Sequence, residues 1–530
     1  MNYRSKSLVT LFVLFGLTLA RGTEGQPPNI IFFIADDMYK EMFNCLNEEV
    51  DQYLTPNIDR LAREGTVMVN QNVVSPVCTP SRYNCMAGQY ASRAVNREFI
   101  NRTATEGNQT VIQWNTFIVP GQKILPHYLK EAGYTTGMVG KNHVIEAKGL
   151  YQFEDYWADS RNPAIVEKVQ ENYRKTEDAI RNAGFDYAGS IYFDNPNFIG
   201  LGELAVQNMD WIAESGLEFI EQNAENPFFL YFATTLPHAP NQPERSWKAD
   251  PLITANGYLE SPPKGLPARE TLPERVRKAG VKGRNAENVL WLDDALGALI
   301  SKLEEKGVLD NTVIFFFNDH GQRAKGTLYR GGTETPVIVW KQGGFEVGNR
   351  SEAYVQNIDF APTILDFAGA SYKEQDFDGR SFKKVLQAET NQSRKSTYHE
   401  LGYARAVVMD GFKYYAIRYP EYAENWSWEE RGAALEAYNE GRRMRKMNVV
   451  NEDPAAPFSH FSNVPGGEAA EHESYGKLPF YFDRDQLYDL ENDPGETKNL
   501  AEDPRFAKKL WRLKKELRRY INDLPGEFKL

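Results

Sequence analysis

Four apolar runs in this 530-residue chain each end in side chains that can do chemistry. NIIFFIA, from Asn29, runs into Asp36 and Asp37. TTGMVG, from Thr135, ends in Lys141, Asn142 and His143. PFFLYFATTL, from Pro227, ends in Pro237 and His238, and NTVIFFF, from Asn311, ends in Asn318, Asp319 and His320. Adjacent carboxylates repel unless a cation lies between them, so Asp36, Asp37 and Asp319 point to a divalent metal bound through hard oxygen ligands, Ca²⁺ or Mg²⁺. One Asp-Asp pair alone is more often a cap or turn; two acidic clusters after two apolar runs favour the metal. Three of the seven histidines, His143, His238 and His320, fall just past such runs. Lys141 shares that position and Lys325 follows closely, the gathering of cations that an anion pocket requires.

A fifth segment, SPVCTPSR (75–82), carries Cys78. Three cysteines (Cys45, Cys78, Cys85) cannot make a disulfide framework, because an odd count leaves one thiol over. The pattern predicts Thr79 as a helix N-cap, Pro80 in the first turn and Arg82 within the helix, which puts Cys78 at a helix N-terminus. That place favours an anion and would activate a thiolate nucleophile. The alternative, a Cys78–Cys85 disulfide, would need a loop that Pro80 and Arg82 do not otherwise explain.

The apolar runs have the length and the β-branched or aromatic content of buried parallel strands. Helical patterns lie between them: Met209, Ile212, Ala213, Gly216, Leu217 and Ile220 share one face, as do Val289, Leu292, Leu296, Leu299, Ile300 and Leu303, with Gly307 as the stop. The expected fold is α/β, a large mixed, mostly parallel sheet sandwiched by helices. In such sheets ligands sit outside the carboxyl ends of the strands, so the four clusters should meet on one rim. After about residue 385 the character changes. YARAVVMDGFKYYAIRY (403–419) reads as a hairpin turning at Asp410-Gly411. Residues 506–520 read as a terminal helix docked by Leu510, Leu513 and Leu517 with a solvated Lys/Arg face.

Residues 1–25 read as an export signal: Arg4 and Lys6 precede an apolar run from Leu8 to Ala20, too short to span a bilayer. No later run reaches about 18 apolar residues, so the expectation is a periplasmic or secreted chain without a membrane span. The remaining length, roughly 500 residues, exceeds one core and predicts a catalytic domain over 26–385 and a smaller α+β domain over 386–530 built on an antiparallel sheet. A net charge of −12 argues against nucleic-acid partners and requires a locally basic pocket for any anionic substrate.

CTPSR resembles the C-x-P-S-R core of the sulfatase family, part of the alkaline-phosphatase-like superfamily. GYTTGMVGKNH (133–143) is similar to the family's second signature, and NDHG, KGTLY and QLYDLENDPGETKNLA (486–501) to its later landmarks. The resemblance spans Asn29 to about Ala501. It implies that a formylglycine-generating enzyme oxidises Cys78 to formylglycine (3-oxoalanine), whose hydrate attacks the sulfur of a sulfate ester. It further implies that Asp36, Asp37, Asp319, His320 and residue 78 hold one divalent metal, Ca²⁺ first. Arg82 would hold the hydrate, Lys141 and Lys325 the sulfate; His238 would protonate the leaving oxygen, directly or through a lysine, and His143 would take the hydrate's proton.

Three departures stand out. His320 replaces a usual Asn, which keeps Mn²⁺ open. Cys85 replaces a bulky apolar residue, and YRGGTETP (329–336) exchanges the signs of two charges, Arg330 and Glu334. Those two either keep an ion pair or free Arg330 for the substrate. The nearest alternative is a formylglycine-dependent hydrolase of phosphonate monoesters or phosphodiesters. Another is a carbohydrate-binding protein on a dead scaffold, against which Cys78, Asp319 and Lys325 are all present. The expected substrate is a sulfated polysaccharide or its oligosaccharides. Specificity is expected from 144–200, 241–285 and 419–447; in the last, Trp426 and Trp428 could stack on sugars and Arg442, Arg443 and Arg445 grip sulfates, or the stretch is ordinary packing beneath a solvated helix.

Overall fold

The computed structural model describes residues 26–46, 52–444, 449, 452, 478–481 and 483–530; the expected export segment, 1–25, lies outside them. Eight strands form the main sheet: β1 (Asn29–Asp36), β2 (Thr66–Met68), β3 (Thr135–Lys141), β4 (Tyr187–Tyr192), β5 (Phe228–Pro237), β6 (Thr312–Asn318), β7 (Val337–Trp340) and β8 (Asn349–Ser351). Their order is β8-β2-β7-β6-β1-β5-β3-β4. From β6 to β4 all neighbours are parallel, while β7 is antiparallel to both β6 and β2. Chain order reverses about β1, which has β6 on one side and β5 on the other, the kind of switch point beyond whose carboxyl end ligands bind.

β1 shows why this sequence makes a central strand. Side chains alternate faces along a strand. Ile30, Phe32 and Ile34 enter one apolar cluster and Ile31, Phe33 and Ala35 another, so both faces must be covered. Helices α1 (Cys78–Ala87), α2 (Leu125–Glu131), α3 (Met209–Asn223), α4 (Ala286–Glu305) and α5 (Phe360–Ala368) do this. α1, α2 and α5 cover the Phe32 face, α3 and α4 the Phe33 face. Phe33 stacks between Phe232 and Phe316 at 4.8 and 5.4 Å. Burying one such side chain stabilises by about 1.5–3 kcal/mol.

A second sheet, wholly antiparallel, runs β9 (Ser396–Leu401), β10 (Ala404–Met409), β11 (Phe412–Ile417), β12 (Asp485–Asp489). Asp410 and Gly411, at φ 52° and 73°, make the turn that the hairpin requires. One face of this sheet, with Ala406, Tyr415 and Ile417, joins the apolar cluster of Phe32 and Phe360. The other receives α6 (Ala507–Ile521), whose Leu513 and Leu517 are fully buried and Leu510 half-buried. Lys508, Arg512, Lys515 and Arg519 face solvent, as its amphipathic pattern predicts. Among the described residues no helix is long and apolar enough to cross a membrane.

Candidate active site

The four expected strand ends meet on one rim. Two irregularities turn their side chains inward. Register slips between Ile34 and Asp36 in β1 and between Val139 and Lys141 in β3, the bulges that re-aim a strand's last residue. Gly140 is obligatory at the second: a Cβ there would stand 1.8 Å from the Ala233 carbonyl. Just beyond, Asp37 and His143 hold φ of 61° and 47°, conformations uncommon outside glycine that collect at functional sites.

The charges form one network. Lys141 Nζ donates to both oxygens of Asp36 at 3.0 and 2.8 Å. Arg82 Nη2 is shared by Asp36 Oδ1 (3.1 Å) and Asp319 Oδ2 (3.3 Å). Lys325 Nζ donates to Asp37 at 2.7 and 2.8 Å and lies 3.8 Å from Cys78 Sγ. His238 Nε2 and His320 Nε2 approach Asp37 at 3.3 and 3.2 Å. Burial alone would raise both aspartates. For Asp36 it is outweighed by Lys141, His238 and Arg82, and for Asp37 by Lys325, His238 and His320, so both carboxyls lie well below the usual range. Asp319 is not so compensated: burial pushes its carboxyl up despite His320.

One atom each from Asp37, Cys78, Asp319 and His320 falls within 4.8 Å of all the others. His320 Nδ1 lies 3.1 Å from Gly321 O and can donate to it, which leaves Nε2 for this cluster. Burial opposes charge on His320, but Asp319, Asp37 and Cys78 push its pKa up to about 10. Holding a metal through Nε2 would release the proton there. Asp36 lies alongside, its carboxylate held by Arg82 and Lys141.

Cys78 is the first residue of α1, but the cap differs from expectation. Val77, extended at φ −143° and ψ 158°, is the N-cap and has no side-chain cap bond; Thr79 lies inside the helix. Ser81 N bonds Val77 O at 3.1 Å, the first intrahelical bond, and all ten helix residues are buried. Nor is the thiol activated as predicted. Burial raises its pKa, and the nearby Lys141 and Lys325 do not overcome this. α1 is tied to the end of β6 by Ser81 Oγ, which donates to Asp319 O, and by Asn357 Nδ2, which donates to Ser81 Oγ at 3.0 Å. The described cysteines are free, so Cys78 and Cys85 form no disulfide.

Asp194 escaped the sequence reasoning. Its Oδ2 lies 3.3 Å from His143 Nε2, and His143 N bonds Phe193 O at 2.8 Å. Burial lowers the His143 pKa well below its usual value, with Lys141 and Arg82 adding to the effect. Burial likewise raises Asp194. The signal was available: Asp194 lies two residues past β4, on the same rim. Arg330 and Glu334 keep their ion pair, and Glu334 also takes Lys40 at 2.5 Å. Of the residues expected to grip sulfates, Arg443 is committed to Glu436, Glu440 and Glu452. Arg445 and the side chain of Arg442 lie outside the described residues. Trp428 is exposed and Trp426 half-buried.

A doubly covered, mostly parallel sheet with acidic and basic groups converging at its strand ends makes an α/β protein with a site suited to an anionic ligand. The chain belongs to the sulfatase family, whose model matches residues 28–370, and it is a sulfuric ester hydrolase. The model for the N-sulphoglucosamine sulphohydrolase C-terminal region matches 318–455. The chain is 25% identical over 511 residues to N-acetylgalactosamine-6-sulfatase of Mus musculus, covering 92% of this chain and 84% of that one. It is 27% identical over 462 residues to N-acetylglucosamine-6-O-sulfatase of Bacteroides thetaiotaomicron (75% and 79% covered). To an ulvan-active sulfatase of Formosa agariphila it is 25% identical over 522 residues (95% and 76%). Among solved structures, one from a study of glycosaminoglycan metabolism by Bacteroides thetaiotaomicron superposes with a TM-score of 0.61 at 19% identity, covering 94% and 99%. The phosphonate monoester hydrolase of Agrobacterium radiobacter superposes at 0.55 with 14% identity, covering 93% and 95%, so the fold alone does not separate the two chemistries.

Proposed function

We propose that this sulfatase removes sulfate from a sulfated carbohydrate, using formylglycine made from Cys78 and one divalent cation, Ca²⁺ first. The observation that carries the mechanism is the placing of Cys78: Sγ lies 3.5 Å from His320 Nε2 and 3.8 Å from Lys325 Nζ, yet burial keeps it a thiol. A protonated thiol is a weak nucleophile. Formylglycine instead supplies a hydrated aldehyde, one hydroxyl to take up the sulfuryl group and the other to expel sulfate as the aldehyde re-forms. A formylglycine-generating enzyme is the maturation partner this requires.

The residues fit a cation. Asp37, Asp319 and His320 converge on residue 78 with Asp36 alongside, and a buried set of lone pairs facing one another calls for positive charge at its centre. When bound, the cation polarises a sulfate oxygen. The chain's own groups do the rest. Lys325 and Lys141 neutralise the remaining sulfate oxygens, and Arg82 holds the hydrate. His238, partly exposed beside Asp37, protonates the leaving oxygen. His143 takes the hydrate's proton, with Asp194 behind its ring.

The names of the relatives support carbohydrate as the substrate class. The export segment supports a periplasmic or secreted protein, checked by N-terminal sequencing of protein recovered outside the cytoplasm. The functional test screens purified protein against sulfated mono- and oligosaccharides, reading free sulfate, with phenylphosphonate monoesters in parallel. Sulfate release by the wild type, abolished in Cys78→Ala, is expected. Faster turnover of the phosphonate than of every sulfate would overturn the assignment.

A further inference from the structure

Beside the charged cluster, exposed aromatic rings gather in one place. Tyr151, Phe193 and Phe198 are 42%, 37% and 63% exposed, and all three line a cavity of about 200 Å³. Large apolar side chains left open to water in company mark a binding surface more often than an accident of packing. The cavity also shares a wall with the active site. Asp194 lines it while its Oδ2 meets His143 Nε2, and Phe193, its neighbour in the wall, accepts the His143 backbone N–H at 2.8 Å.

We propose that this cavity receives the sugar ring whose sulfate lies over residue 78, with Phe193 and Phe198 against the ring's C–H face and Asp194 accepting one of its hydroxyls; this deepens, and rests on, the carbohydrate assignment above. A pyranose presents both kinds of surface at once, apolar C–H edges and hydroxyl donors, and this wall offers both kinds of partner. Asp194 has capacity for it. Oδ1 accepts Asn195 N at 2.6 Å and Oδ2 faces His143, but each carboxylate oxygen has two acceptor sites. The volume limits the occupant: ligand pockets for larger molecules run to roughly 300–1,000 Å³, so this one fits a single ring rather than a chain. The 3.3 Å contact between Asp194 and His143 ties this cavity to the catalytic cluster.

The test measures kcat/KM for N-acetylgalactosamine 6-sulfate, N-acetylglucosamine 6-sulfate and an ulvan oligosaccharide against 4-nitrophenyl sulfate, which has no pyranose. Phe198→Ala should lower the sugar-to-aryl ratio by about tenfold, through KM, for whichever sugar the wild type hydrolyses. Phe198→Tyr, which keeps the ring, should restore the ratio, and Phe198→Leu, equally apolar, should not. An unchanged ratio in Phe198→Ala and Phe193→Ala, or recovery by Leu as full as by Tyr, overturns the cavity assignment while leaving the carbohydrate assignment standing. Failure of the wild type to release sulfate from all three sugars overturns both.

Discussion

Two regions of this molecule bury charge in different ways. At the rim it is shared: Arg82 Nη2 serves Asp36 and Asp319, and Asp37 faces Lys325, His238 and His320. Where the small sheet meets the large one it is parcelled into local pairs. Lys413 takes Glu496 at 2.6 Å and donates to Leu328 O at 2.9 Å, Glu496 also accepts the Arg330 N–H, and Arg394 takes Asp359. Local pairs lock one surface against another. A shared cluster instead keeps a place for further charge, which a metal and a sulfate would supply. Damage at the rim should therefore cost turnover and little stability, and damage at the seam the reverse.

The sharpest break comes from Asp319→Asn. It leaves the local volume intact, removes one buried negative charge, and should lower turnover by about 10³-fold or more together with the bound metal, read by sulfate release and elemental analysis. The melting temperature of the metal-free protein should stay level or rise, since burial disfavours that charge. A large fall in melting temperature would merge the two regions into one kind.

At the seam, Lys413→Met leaves the buried Glu496, 2% exposed, with the Arg330 N–H but no paired cation, and should cost about 3–5 kcal/mol of unfolding free energy. Activity per folded molecule should be retained. The double change Lys413→Met, Glu496→Gln should recover much of the loss, measured by denaturant titration.

Acid should find the seam through His399. Its Nδ1 meets Val73 O at 2.8 Å and its Nε2 meets Thr397 Oγ1 at 3.0 Å, joining β9 to the main domain. Burial, with Lys413 and Arg394 nearby, lowers its pKa to about 3 from an ordinary 6.5. The unfolded chain takes up a proton near 6.5 that the folded one refuses, so this contribution to stability is complete above that pH and is lost as pH falls toward 3. By pH 5 the loss should reach about 2 kcal/mol. His399→Gln should flatten the slope between pH 7 and 5.

The smallest effect belongs to Arg330 and Glu334. Arg330 is 36% exposed, so Arg330→Glu should cost only about 1 kcal/mol, Glu334→Arg slightly more because Lys40 also loses its partner, and the double reversal less than either. Stability unchanged throughout, with a large rise in KM for Arg330→Glu alone, would make Arg330 a substrate residue.

The rim was legible because a parallel strand announces itself as an unbroken apolar run, and its last residues stand out by chemistry. β1, β5 and β6 show this, while β3, with Thr135, Thr136 and two glycines, is marked by the Lys141-Asn142-His143 cluster that ends it. β4 does not: YAGSIY is small and polar-spotted, so the strand and the Phe193-Asp194 end it delivers passed unnoticed. The Asp410-Gly411 hairpin was readable because few residues accept two successive left-handed conformations. The Val77 cap and the raised Cys78 thiol were not. The raised thiol follows from the complete burial of α1, and burial by distant segments leaves no local trace. The β8 strand, the edge of the main sheet, carries only Asn349–Ser351 and reads as loop in sequence.

The most direct test of the account is the mass of the peptide bearing residue 78, taken from protein with measured sulfate release. The fraction of chains carrying an aldehyde in place of the encoded thiol should match the fraction of active sites, and expression without a formylglycine-generating enzyme should abolish both. Full turnover by protein whose residue 78 is entirely unmodified cysteine would contradict it.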